Sequence, residues 1–128
     1  MYSRPLYYKQ YVVALKTSAI IRKWFEAWES GNYRDIPVTD DFRHTSPYGT
    51  IVGKNAYLDL VAANEDKFLG HTFQIHDALY GETTACVRYT GKREDLSLDV
   101  SEWYTIEGNK IREIISYYNI EGEREIEI

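Results

Sequence analysis

The chain has 128 residues, 44% hydrophobic and 27% charged, with a formal net charge of −5 and a single cysteine. That length fits one domain with one substantial core. The acidic balance argues against nucleic acid as a partner, no apolar run approaches the ~20 residues of a membrane helix, and the lone Cys86 reads as a small half-buried apolar residue with no partner for a disulfide or a thiolate metal site.

The N-terminal "MYSRPLYYKQYVVALK" lacks the basic start and long apolar centre of a secretory leader, so a cytoplasmic protein is expected. Residues 1–16 are read as an extension, within which "YYKQYVVAL" fits a helix or a strand. Over 17–30, Ile20, Trp24 and Trp28 recur at helical spacing with Ile21 and Phe25 beside them, while Arg22, Lys23, Glu26 and Glu29 take the other side. This predicts an amphipathic helix with Thr17 or Ser18 as its cap and Gly31 at its end.

The next stretch, "DDFRHTSPYGTIVGK", predicts a small hairpin turning at Pro47, Tyr48 and Gly49. Phe42 marks one face of its first arm as inward, and alternation places His44 and Ser46 on that face. A second helix is predicted over 53–68, with Tyr57, Leu60, Val61, Asn64 and Phe68 on its buried side and Gly70 after it.

From His71 the apolar period falls to two, and four antiparallel strands are predicted, "HTFQIHDALY", "TTACVRYT", "LSLDVSEWYTI" and "KIREIISYYN". The third of these places Leu96, Leu98, Val100, Glu102, Tyr104 and Ile106 on one face, so a single carboxylate interrupts an apolar stripe. On the last strand, Ile114, Ser116 and Tyr118 share one face and Ile115, Tyr117 and Asn119 the other; parity alone does not choose between them. The tail 121–128 alternates acidic and apolar residues and fits an exposed edge strand or a frayed end. Helices followed by a mostly antiparallel sheet make the fold class α+β.

If the stripe faces the helices, burial raises the pKa of Glu102, which suits an acid or hydrogen-bond donor. The plainer reading pairs Glu102 with Arg88 or Arg112. A histidine looking into the same cavity makes His44 and Glu102 the simplest cofactor-free acid/base pair. His71 and His76 fall on opposite faces of their strand and read as strand-start or solvent-side residues; three scattered histidines give no metal-ligand spacing, and neither metal nor cofactor is expected.

A helix ending "WESGN", then "DDF", "SPYG", "GK" and strands closing on "GNKIREIISYY" resembles the nuclear transport factor 2 superfamily, in particular its SnoaL-like and ketosteroid-isomerase-like small proteins. The resemblance spans 17–119. It implies a cone-shaped, curved sheet wrapped around the helices, a deep, mostly apolar pocket for a small apolar ligand, and frequent homodimerisation through the outer sheet face. In the isomerase pattern Ser46 stands where the general-base aspartate precedes the hairpin proline, Trp24 stands where a tyrosine donates to the oxyanion, and Glu102 stands where a protonated aspartic acid does the same. Tyr118 aligns with a pocket-wall aromatic, which favours Ile114, Ser116 and Tyr118 as the inward set, and Asp99 is the fallback base if the register slips by one. The expected site therefore has His44 as base, Glu102 as acid or orienting carboxylate and Tyr118 as donor. Trp24, Phe42, Ser46, Tyr57, Leu60, Val87, Val100 and Ile114 are expected to bind the ligand, with Trp103, Tyr117 and Ile115 outward at a dimer face. The fold hosts isomerases, dehydratases, hydrolases, cyclases and binding modules without catalysis, so the resemblance implies a pocket more firmly than a reaction.

Overall fold

The computed structural model describes residues 6–120, with side chains from Lys16 onward; residues 1–5 and the acidic tail 121–128 lie outside the described residues. The chain begins in one long helix, α1 (Leu6–Ser30), so the ambiguous tyrosine-rich stretch is helical. With no proline or glycine across it, nothing stops the helix short of Gly31, which takes the left-handed conformation at φ 82°. Thr17 is consequently mid-helix and caps nothing: it is buried, and its hydroxyl reaches the Glu82 carbonyl at 3.4 Å.

A short 3-10 turn, Tyr33–Asp35, leads into the hairpin of β1 (Val38–Ser46) and β2 (Gly49–Val52). The single helix expected over 53–68 is split at Asn64 into α2 (Lys54–Ala63) and α3 (Glu65–Phe68), with Asn64 at φ −135° and its amide donating to the Leu60 carbonyl at 2.9 Å. The buried face of α2 is Tyr57, Leu58 and Val61. At ~100° per residue these three centre on Val61, and Leu60 points well to one side. It is 38% exposed, which corrects its assignment to the pocket.

Strands β3 (Thr72–Tyr80), β4 (Thr84–Arg93), β5 (Leu96–Glu107) and β6 (Lys110–Tyr117) form the antiparallel run expected. The hairpin does not stand apart. β1 pairs parallel to β6, giving one curved, six-stranded mixed sheet in the order β2-β1-β6-β5-β4-β3. A register shift between Ile75 and Asp77 re-aims β3.

The inner face of the sheet packs against α1 and α2. Val38, Phe42, Val61, Ile111 and Ile114 are 0% exposed, and burial of each contributes about 1.5–3 kcal/mol. On β5 the alternation holds from Leu98 to Ile106, with Val100, Glu102, Tyr104 and Ile106 buried and Trp103 exposed; only Leu96, at the strand end, escapes it. No helix among the described residues is long and apolar enough to cross a membrane.

Candidate active site

Between the helices and the concave face of the sheet lies a cavity of about 260 Å³. Its walls are mainly aromatic: Trp24 and Trp28 from α1, Tyr57 from α2, Phe68 from α3, and Phe73 and Tyr89 from β3 and β4. The rings interlock edge-to-face, as in Trp24 on Trp28 at 5.5 Å and Phe25 on Tyr89 at 5.1 Å, the geometry that ring quadrupoles favour.

Glu102 lines this cavity and is 4% exposed. Its position follows from strand geometry. Tyr104 is two residues along on the same face of β5, and Ser116 is the residue directly opposite on β6. The Tyr104 hydroxyl donates to Oε1 at 2.5 Å, the Ser116 hydroxyl donates to Oε2 at 2.5 Å, and the Tyr89 side chain supplies a further hydrogen bond. Burial nevertheless prevails over these donors and raises the carboxyl above its ordinary value of 4.5. No arginine among the described residues pairs with it: Arg88 makes two hydrogen bonds to Asp77 Oδ2, at 2.9 and 2.6 Å, and Arg112 faces Glu107 at 3.8 Å. The ion-pair reading of Glu102 is thereby overturned.

His44 opens onto the same cavity from β1. Its ring lies nearly parallel to Tyr57, centroids 5.0 Å apart at 25°, with Phe42 tilted against it at 6.2 Å. Desolvation lowers its pKa to about 4, so the imidazole is neutral at neutral pH. Stacking on Tyr57 orients the ring, while the Glu102 oxygens are engaged by hydroxyls; the expected role of Glu102 as the orienting carboxylate is corrected accordingly.

Of the other expected pocket residues, Trp24, Tyr57, Val100 and Tyr118 are on the wall. Phe42, Val87 and Ile114 are buried in the core, inward as parity requires, but are not on the cavity wall. Ser46 is half-buried beside Tyr118 and hydrogen-bonds its side chain, which partly offsets the rise in the Tyr118 pKa caused by burial. Residues outside the expected site complete it: Ser116 and Tyr89 at the carboxyl, Lys67 from α3, and His71, read from the sequence as a strand-start or solvent-side residue, from just before β3. Ser116 already belonged to the inward set on its strand. Tyr89 lies on the same face of β4 as Val87, two residues away, and that spacing was the available signal.

A second, open cavity of about 510 Å³ shares Tyr89, Val100 and Tyr118 with the first, and its remaining lining includes Arg88, Asp99 and Ser101 from the outer face. Asp99, the fallback base, is thus on the far side of the sheet, where it accepts from Thr90 at 2.7 Å. His76 is there too, its Nε2 2.7 Å from the Thr90 hydroxyl. Among the described residues, no group of three or more His, Cys, Asp or Glu side chains is placed to hold a metal ion.

The arrangement is matched in known folds. A protein of nuclear transport factor 2-like type and unknown function from Cytophaga hutchinsonii superposes with a TM-score of 0.70 at 15% identity, over 80% of this chain and 89% of that one. A candidate ketosteroid isomerase from Kribbella flavida gives 0.72 at 16% identity, over 89% and 85%. A candidate polyketide cyclase from Xanthomonas campestris gives 0.68 at 16%, over 84% and 93%. No curated protein matches the sequence. The pattern of the SnoaL-like domain matches residues 21–114, most of the helices and sheet just described. The chain belongs to the SnoaL-like family, on the nuclear transport factor 2-like fold.

Proposed function

We propose that this protein is a cytoplasmic, cofactor-free acid/base enzyme acting on a small, largely apolar molecule held in the aromatic cavity. The observation that carries the reading is the presence of a carboxyl of raised pKa and an imidazole of lowered pKa on the lining of one mostly apolar cavity. Burial thus disfavours the charged form of both groups. His44 then has a free lone pair with which to accept a proton from carbon or water, and Glu102 carries a proton to donate to the oxygen that becomes negative. Tyr118, on the same wall, supplies a hydroxyl donor. Aromatic walls keep water away and strengthen each of these interactions.

The cavity volume lies just below the range usual for ligand sites, which run from about 300 Å³ upward, and favours a substrate of one or two rings. The test is a screen of small carbonyl and epoxide compounds with wild type and Glu102→Gln in parallel. Turnover by the wild type and none by the variant supports the reading. Ligand-dependent stabilisation with no chemical change to any ligand favours instead a binding module of the same fold, a reading supported by Ser46 standing where the related isomerases carry their base.

The same reading includes a homodimer. Trp103 and Tyr117, 54% and 58% exposed, flank Ile115 on the outer face of the sheet and form an apolar surface suited to a second copy.

A further inference from the structure

Lys67 is the one lysine or arginine on the cavity lining. His44 is neutral near pH 7 because desolvation lowers its pKa to about 4. The His71 pKa is also lowered by desolvation, and its Nδ1–H donates to the Phe68 carbonyl at 3.3 Å, leaving Nε2 as an acceptor. Lys67 remains. It is exposed at the rim on α3, next to Phe68, and no carboxylate among the described residues pairs with it in a salt bridge. The nearby acids are otherwise engaged: Glu65 accepts the Tyr33 hydroxyl at 2.5 Å, Glu29 accepts the Phe73 N–H at 3.3 Å, and Asp66 lines a separate surface depression with Arg93.

The segment that carries Lys67 is tied down. Arg93 donates to the carbonyls of Asp66 and Leu69, on either side of it, and the Tyr33–Glu65 bond holds the start of α3. The surroundings that shift Glu102 include no cation, so the ammonium and the carboxyl serve different ends of the cavity. In a chain of net charge −5, a lone unpaired cation at the rim of an aromatic cavity is a selective feature.

We infer that the ligand is a small aromatic or alicyclic carboxylate, its anionic group held at the rim by Lys67 and its ring inserted among the tryptophans toward Glu102. This rests on the cavity being the ligand site, as proposed above, and adds the charge of the ligand. A carboxylate and its methyl ester share one apolar body, so only the charge-assisted contact separates them.

The experiment uses cinnamate and methyl cinnamate as matched probes, with quenching of the Trp24 and Trp28 fluorescence as the readout. Cinnamate is expected to bind about three- to fivefold more tightly than the ester, and Lys67→Gln to remove that advantage while leaving the ester unchanged. Added salt should weaken the acid alone. Equal binding of the two probes, or a Lys67→Gln effect of equal size on both, overturns the inference and leaves the cavity reading standing. If neither probe binds the wild type, both fall together.

Discussion

Ser116 and Glu102 stand directly opposite each other across the β5–β6 ladder, and the serine hydroxyl donates to Glu102 Oε2 at 2.5 Å. The Tyr104 hydroxyl does the same at Oε1, so both oxygens of a buried carboxyl are occupied by donors. Donors favour the ionised form and therefore oppose the rise caused by burial. Ser116→Ala and Tyr104→Phe are each expected to raise the Glu102 pKa further. Carbon-13 NMR titration of the carboxyl checks this, and any basic limb of a pH-activity profile should move upward with it.

Glu102→Gln keeps the size of the side chain and can satisfy the same hydroxyls, with its carbonyl accepting and its amide donating. Turnover should be lost while stability changes by no more than about 1 kcal/mol. Because the folded-state pKa lies above 4.5, Glu102 favours the fold most below that pH, and the contribution is lost as pH rises through the folded value. The variant should lack this slope in urea unfolding. Glu102→Leu, which leaves buried hydroxyls without an acceptor, should cost at least about 2 kcal/mol.

His44 has the opposite sign. Its folded pKa of about 4 lies below the ordinary 6.5, so its contribution is complete above pH 6.5 and is lost as pH falls toward 4. For a half-buried ring the loss amounts to about 2–3 kcal/mol. His44→Phe preserves the stack on Tyr57 and should flatten the stability curve over that interval, as measured by urea unfolding at several pH values.

Trp103 pairs with Ile115 on β6 and with Cys86 on β4, which places it mid-sheet on the outer face. Trp103→Glu is expected to convert a micromolar dimer to monomer in sedimentation while leaving the cavity unaltered. A wild type that sediments as a monomer under the same conditions refutes the dimer.

Much of this site was legible in the sequence where alternation is strict. A strand with period two assigns Glu102 and Tyr104 to one face from sequence alone, and the apolar neighbours say which face is inside. The partner across the ladder is different. Ser116 meets Glu102 only through the β5–β6 register, which no single strand encodes. Leu60 failed because two leucines bracket the helical face, and the phase was set by Leu58 and Val61 packing inward. The cavity places of Lys67 and His71 were not legible, because the break at Asn64 leaves α3 too short to show a period and His71 stands outside any strand. The N-terminal stretch was ambiguous because tyrosine and valine suit a strand as well as a helix, and the uninterrupted backbone of α1 decided it.

Tyr118, Tyr89 and Val100 line both the aromatic cavity and the open one beyond the sheet. These three side chains are the wall that the two cavities have in common. Shortening Tyr118 to alanine is expected to thin that wall and ease the approach of water toward Glu102. Tyr118→Phe would remove only the hydroxyl, whereas Tyr118→Ala would also remove the ring that separates the two cavities.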